Sequence, residues 1–521
     1  MSSGRSKIGF WGIWVVLSVL LCWGHYGLTP VTDFVADDWP YLGSSAHLTA
    51  GQIIASGVKD YYRPVNIMVN RLLFLYPGDS PLFFSILRVV LHCAILAAFL
   101  ALLRMVFRDD RALWIGGAFY ALNPNIHEMF HWANMVAILY FPLAMLGSVL
   151  LWIAWCRGRG WVWLLLSLVA YALGVLTYEN CVPFCLMFPL AAVLFAEGKR
   201  IRGSWLYVLL AAVYVVYRFT HGFGWGVASI HGGSYFGEGS RIRIWDILQN
   251  VRAICSWWIG GLGATAFLGG FNAFAMLVPK VQIFCVAVSI GLIWFVWRRA
   301  RRSWESPVSM KSTDEMALKG GLFGLAWFLL SYAPHLLFAP ASRHNILPVF
   351  GAGMALAAFL LRWRPRISGG TIGALALLCL IANMGNALAW RDAGVFCRRL
   401  YHHLERTQPE WGVKNLVVFD TEALRERQTP GVLTKRQDGV ATWAQYRNAI
   451  LMRGFVGTGM MQLCMDDPPP GIQDTECGTR RTGDMLEWHD RYNPAVPHRM
   501  PLAQIYWVDC LAAATDSRNE Y

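Results

Sequence analysis

Met135–Trp155 reads MVAILYFPLAMLGSVLLWIAW, carries no charged side chain, and is followed at once by Cys156-Arg157-Gly158-Arg159. A helix crosses the bilayer core with about 20 apolar residues, and a helix that is apolar all round has no wet face to offer a soluble fold. Arginines that close such a run stay on the cytoplasmic side. The same unit recurs along the chain at Ile8–Leu28, Leu82–Leu103, the shorter Ala112–Leu122, Trp161–Thr177, Val182–Phe195, Trp205–Phe219, Ala275–Trp297, Leu322–Phe338, Ile346–Leu361 and Ile372–Trp390. With Met135–Trp155 this makes about eleven spans, and the expected fold class is an all-α polytopic membrane protein.

Composition agrees. Of 521 residues, 56% are hydrophobic and 15% charged, against about a quarter charged in soluble domains. Placement of charge then gives orientation. Arg5 and Lys7 precede the first span, Arg104, Arg108 and Arg111 follow the second, and Arg157 and Arg159 the fourth. Lys199, Arg200 and Arg202 follow the sixth, Arg298, Arg299, Arg301 and Arg302 the eighth, and Arg362, Arg364 and Arg366 the tenth. The short connections after Leu122, Thr177 and Phe338 carry only Arg343. One apolar segment, Val251–Phe267, breaks the alternation if it is counted. It is expected to be re-entrant or to lie on the outer surface, interrupted at Gly260, Gly261 and Gly263. The amino end is then inside and the carboxyl end outside. The first run also fits a cleaved signal peptide, and the downstream parity is unchanged in that case.

The net charge of +13 is therefore a topology signal and an attraction to anionic lipid. It predicts no nucleic-acid partner, because the basic residues sit in separate short loops. No P-loop, dinucleotide glycine pattern or Cys-pair zinc ribbon is present. Most cysteines fall in apolar runs. Cys464, Cys477 and Cys510 lie in the polar tail, where an oxidising compartment would allow one disulfide whose pairing the sequence does not give.

The expected organisation is a transmembrane domain over 1–390 and an extracytoplasmic α/β domain over 391–521. Outer loops at 24–80 and 220–275 belong to the first, the latter rich in glycine and aromatics and suited to a cover over a site. The tail holds two strand-like runs, Asn415–Asp420 and Ile505–Cys510.

Ionisable residues near span ends are costly without a partner or a task. The pair Asp37-Asp38 follows the first span. A carboxylate there can take a proton from an acceptor hydroxyl, and a solvated acidic loop has the same sequence. Tyr61-Tyr62-Arg63-Pro64 carries a guanidinium fork that suits phosphate or snorkels to headgroups. His127, Glu128 and His131 follow Asn123-Pro124; they suit metal ligation, substrate orientation, or plain structural hydrogen bonding. Glu179 stands at the fifth–sixth hairpin, and Arg343, with His344 and Asn345, between the ninth and tenth spans. All lie on the outer face, where they suit a lateral pocket for a phosphate headgroup on a lipid tail.

In order, these motifs resemble the GT-C superfamily of polyprenyl-phosphate-sugar glycosyltransferases, in particular its protein O-mannosyltransferase-like members. Asp37-Asp38 stands in the first outer loop. Tyr62-Arg63-Pro64-Val65 is similar to the family's Tyr-Arg-Pro-Leu, and Asn123-Pro124-Asn125-Ile126-His127-Glu128 to its His-Pro-x-His-x-Glu, with Asn for the first His. Leu176-Thr177-Tyr178-Glu179 stands where the family has Leu-Ser-Lys-Glu, so the Lys is absent. Arg343 with Leu347-Pro348 resembles Arg-Tyr-x-x-x-Pro, and Trp390-Arg391-Asp392 the end of the last span. The resemblance covers about Met1–Arg406, and the tail lacks tetratricopeptide repeats.

The resemblance implies an inverting transfer of a sugar from a polyprenyl-phosphate donor to a hydroxyl on a glycan, lipid or protein. Asp37 matches the base and Asp38 is the reserve; Arg63 and Arg343 would hold the donor phosphate. Tyr62, His127, Glu128, His131 and Glu179 would line the substrate pocket. Some relatives use a divalent metal and others none, so no metal or other cofactor is assigned. The expected location is a bacterial inner membrane, with the site and carboxyl terminus facing the periplasm. A lipid-linked-saccharide flippase and a non-catalytic envelope scaffold are the competing readings. A flippase would place polar groups at the midplane and show repeats, which this sequence does not.

Overall fold

The computed structural model describes residues 5–35, 38–39, 42, 63–75, 80–195, 201–220, 244–259, 261–304, 310–336, 342–363, 368–420, 455–465, 467–469, 471–472, 480–490 and 493–515. Asp37, Tyr62, Gly260 and Cys477 fall outside them, as do residues 221–243 of the second outer loop.

Six helices among the described residues are long and apolar enough to cross a membrane: Gly9–Tyr26, Pro81–Phe107, Met135–Cys156, Pro279–Arg301, Arg343–Trp363 and Gly369–Arg406. The remaining apolar runs are also helical. Asp110–Leu122, Trp161–Thr177 and Trp205–Thr220 are shorter α-helices, and Met310–Tyr332 has a charged first half. The sixth run differs in detail, starting as a 3-10 turn over Glu179–Leu186 and becoming α-helical at Met187. Pro183 sits inside that turn and cannot donate to an α-helical ladder. The protein is a polytopic all-α membrane protein with small sheets near its carboxyl end. Large apolar side chains such as Leu209, Val213 and Val216 stand on its outside, where lipid and not water is their natural neighbour.

The segment that breaks the arginine pattern is a pair of helices, Ile244–Ile259 and Gly261–Ala275. The first is tied to hairpins at the end of the bundle away from the arginine clusters. The Asn125 amide donates to Trp257 O at 2.9 Å, that of Asn250 to Leu336 O at 3.1 Å, and the Trp258 indole to the Tyr332 hydroxyl at 2.6 Å. The second lies along the final helix, where Asn386 donates to Ala266 O at 3.1 Å and Gly270 meets Ala382 and Gly385. A Cβ on Gly385 would stand 1.7 Å from Gly270 O; only glycines let the two backbones meet so closely. These contacts make Gly261–Ala275 antiparallel to the final helix. Pro279–Trp304 is antiparallel to it as well, since Ile293 meets Gly373 and Trp297 meets Gly369. Two consecutive helices that run the same way are not two legs of one hairpin.

The final helix does not stop where its apolar part ends. Gly369–Trp411 is continuous and carries the chain through residue 390 to the carboxyl-terminal sheets. β1 (Leu416–Asp420) is the centre of a parallel three-stranded sheet, between β2 (Gly471–Ile472) and β6 (Ile505–Asp509). Leu416 is opposite Ile505 and Asp420 opposite Asp509, so both strand-like runs of the tail pair directly. β3 (Arg480–Thr482), β4 (Met485–Asp490) and β5 (Asn493–Pro501) form an antiparallel sheet.

Candidate functional site

Three hairpins meet at the end of the bundle opposite the arginine-rich connections. In the first, Asn123 accepts from Asn125 N–H at 3.0 Å and opens a 3-10 turn at Pro124, followed by the short helix His127–His131. The second is Tyr178–Asn180, the start of the 3-10 turn that Pro183 enforces. The third is the 3-10 turn Ser342–Asn345, held to the first by Asn345, whose amide donates to Asn125 O at 3.2 Å.

Arg63 donates a bidentate pair to Glu179, Nε to Oε2 and Nη2 to Oε1, both at 2.6 Å. Its guanidinium carbon lies 4.1 Å from the centre of the Tyr178 ring, the far face of which stacks on Phe141. Arg218, fully buried, approaches the same carboxylate at 3.8 Å and donates to the Tyr214 hydroxyl at 3.1 Å. Burial alone would raise the Glu179 carboxyl, but Arg63 and then Arg218 pull it down to about 2. At neutral pH it is an anion.

Arg343 pairs with Glu128 in the same style but more loosely. Its backbone N–H donates to Oε2 at 3.1 Å and its Nη1 stands 3.6 Å from the same oxygen. The guanidinium lies 5.7 Å from the Trp132 ring centre. Burial raises the Glu128 carboxyl, and Arg343 offsets only part of that. The Arg343 side chain is 24% exposed, against 18% for Arg63 and 1% for Arg218, so it is somewhat the more accessible of the three guanidinium groups.

The two ion pairs are joined. The Tyr178 hydroxyl is 3.0 Å from His344 Nε2, the His344 ring stacks on His335 at 4.2 Å, and His335 Nε2 is 3.0 Å from the Asn180 amide nitrogen. Three guanidinium groups (Arg63, Arg218, Arg343) thus stand against two carboxylates (Glu179, Glu128), with the His344 and His335 rings between the two pairs. With both carboxylates ionised, these five side chains carry one positive charge in excess, at one end of a bundle of apolar helices.

The other sequence candidates make different contacts. Asp38 is fully buried, and its carboxylate accepts Val35 N–H at 2.8 Å and Asn134 N–H at 2.7 Å. His127 Nδ1 accepts from the Trp390 indole at 2.9 Å. The His131 ring packs near His25, Tyr26 and Phe130, and neither of its nitrogens has a hydrogen-bond partner among the described residues. No group of three or more His, Cys, Asp or Glu side chains stands ready for a metal among the described residues. Asp37 and Tyr62 are outside them. Cys464 donates to Met460 O at 3.6 Å, and its sequence neighbour Cys477 is likewise outside.

Sequence reading missed Arg218, His335 and Arg88. Arg218 ends an otherwise apolar run, which is a signal of the kind that flagged Arg343. Arg88 is fully buried inside the second span. An ionisable residue within such a run is itself a functional pointer; averaging the run as apolar hid it.

No protein-family model matches the chain, and no curated protein matches it. Among solved structures, the crystal structure of ArnT from Cupriavidus metallidurans bound to undecaprenyl phosphate aligns over 93% of this chain and 92% of that chain, at 14% identity and a TM-score of 0.33. At that score the likeness assigns no role to any residue here.

Proposed function

We propose that the protein is an inverting glycosyltransferase that moves a sugar from a polyprenyl-phosphate donor to a hydroxyl acceptor at the outer face of the membrane. The observation that carries this reading is the joined Arg63–Glu179–Tyr178–His344–Arg343–Glu128 cluster. Its excess positive charge suits a phosphate, and its place at the ends of apolar helices suits a phosphate that carries a lipid tail. Arg343 is the foremost phosphate ligand, since Arg63 already shares its fork with Glu179. Asp37 is the base. It takes the acceptor proton as the acceptor oxygen bonds to the anomeric carbon and the bond to the phosphate oxygen breaks. The charge left on the lipid phosphate then rests against Arg343 and Arg63. Asp38, spent on two backbone N–H groups, holds the loop and does not act as base.

The acceptor is a glycan, lipid or protein hydroxyl, and residues 391–521 form the extracytoplasmic domain beside it. The location proposed is a bacterial inner membrane with this face toward the periplasm. The test is mass spectrometry of envelope glycans from a deletion strain. Complementation with the parent should restore a missing sugar, and Asp37→Asn at equal membrane abundance should not. Unchanged glycans in the deletion strain would end the proposal.

A further inference from the structure

The acidic loop is held from two sides, and one of them is the helix that leaves the membrane unit. On the inner side, Thr32 N–H donates to Ser85 Oγ at 3.3 Å and Thr32 Oγ1 to His131 O at 2.9 Å. Arg88, fully buried, donates to Thr32 Oγ1, Ser85 Oγ and His131 O. The Trp132 indole donates to Val35 O at 3.1 Å, and Asp38 bridges to Asn134. On the other side stands Arg398, in the part of the long helix beyond its apolar stretch. Its Nη2 donates to Asp33 Oδ1 at 2.8 Å, and its Nε reaches both carboxylate oxygens at 3.1 and 3.2 Å. Its guanidinium also lies 5.5 Å from the Phe34 ring centre and 5.4 Å from that of Trp39. Trp39 in turn stacks on Tyr401 of the same helix at 5.2 Å. A Cβ on Gly394, one turn earlier, would meet Asp33 Cβ at 2.8 Å, so the loop backbone lies directly on the helix.

We infer that Arg398 is a positioning residue: through Asp33, Phe34 and Trp39 it clamps the acidic loop onto the outer part of the last helix and so fixes where the loop presents its carboxylates. The inference rests on the proposed transfer only for its consequence; the clamp is a property of the loop whether or not sugar is moved. The Arg398 side chain reaches across 365 positions of sequence to Asp33. It makes a charge-assisted, bidentate contact that is 7% exposed on the arginine side, the kind that fixes geometry as well as adding stability. The loop has no regular secondary structure over residues 31–35, so these side-chain contacts set its course.

Val35 makes its hydrogen bonds through backbone atoms while its side chain is 1% exposed. Val35→Cys therefore reports the loop without removing a hydrogen bond, and its packing loss is common to every variant compared. The protein in nanodiscs would be labelled with a membrane-impermeant maleimide, with labelling of the chain lacking Val35→Cys subtracted. Adding Arg398→Ala should raise the labelling rate roughly tenfold or more, the factor expected from losing one hydrogen-bonded charge contact. Arg398→Lys, which keeps charge without the fork, should fall between the two. The exchange Asp33→Arg with Arg398→Asp should bring the rate back toward the parent value. Arg391→Ala, on an exposed pair with Asp392, should change nothing. A parent-like rate in Arg398→Ala, or an exchange that labels as fast as Arg398→Ala alone, would overturn the clamp. Because labelling needs no transfer, these outcomes are independent of the glycan test. If both readings hold, Arg398→Ala lowers kcat more than it raises KM for the acceptor.

Discussion

Replacing Arg63 with alanine strips a bidentate partner from a carboxylate that is only 6% exposed. Removing one member of a buried pair costs about 3–5 kcal/mol. Arg218 remains at 3.8 Å and keeps the loss near the lower end. The carboxyl itself points the same way. Burial raises it, and Arg63, ahead of Arg218, is what brings it down from the ordinary 4.5 to about 2, so the loss of Arg63 falls on the charged form. Arg63→Ala should therefore destabilise by about 3 kcal/mol. Arg63→Lys, limited to a single contact, should lose less. The sign of the pH dependence follows from the lowered carboxyl. Its stabilisation is complete above 4.5 and is lost as pH falls toward 2, so the stability gap between the parent and Glu179→Gln should narrow across that window. Unfolding by SDS in mixed micelles, followed by far-ultraviolet circular dichroism, measures both effects. An Arg63→Ala protein within about 0.5 kcal/mol of the parent, the scale of an ordinary surface change, would refute the reasoning.

Gly385→Ala should abolish monodisperse protein in size-exclusion chromatography, since its Cβ falls 1.7 Å from Gly270 O; Gly147→Ala, with nothing within 4 Å, should behave as the parent. Asp38→Asn turns an amide toward one of two backbone N–H donors and should cost about 1–3 kcal/mol in the same SDS assay. A reporter active only outside the cytoplasm, fused after Tyr521, should be active; activity of a cytoplasm-only reporter instead would reverse the proposed orientation.

The membrane helices were legible because a run such as Met135–Trp155, apolar all round, has a single physical interpretation. The arginine pattern also singled out Val251–Phe267 as an odd segment, whereas the close packing of Gly270 on Gly385 is a tertiary contact that no local pattern shows. Helix ends were less legible. Hydropathy marks where Ile372–Trp390 leaves the lipid, but nothing in Arg391-Asp392 stops the hydrogen-bond ladder, so the helix continues to Trp411. The site was legible in its parts and not in its pairings. Arg63 and Glu179 were both flagged, yet their direct contact across distant hairpins is a tertiary fact. Tyr178 was noted only as the residue in place of a lysine, whereas it stacks under Arg63 and bonds His344. The tie between Asp33 and Arg398 spans nearly the whole membrane unit, and no local pattern announces it.

The account stands most directly on one binding measurement, the affinity of the protein in nanodiscs for a polyprenyl phosphate against the polyprenol of equal length. The alcohol keeps the tail and removes the charge. The account predicts that the phosphate binds at least roughly tenfold tighter, as expected for a charge-assisted contact, and that Arg343→Ala erases most of that preference while leaving the alcohol unaffected. Equal affinity for phosphate and alcohol, or a preference that survives Arg343→Ala intact, would contradict it.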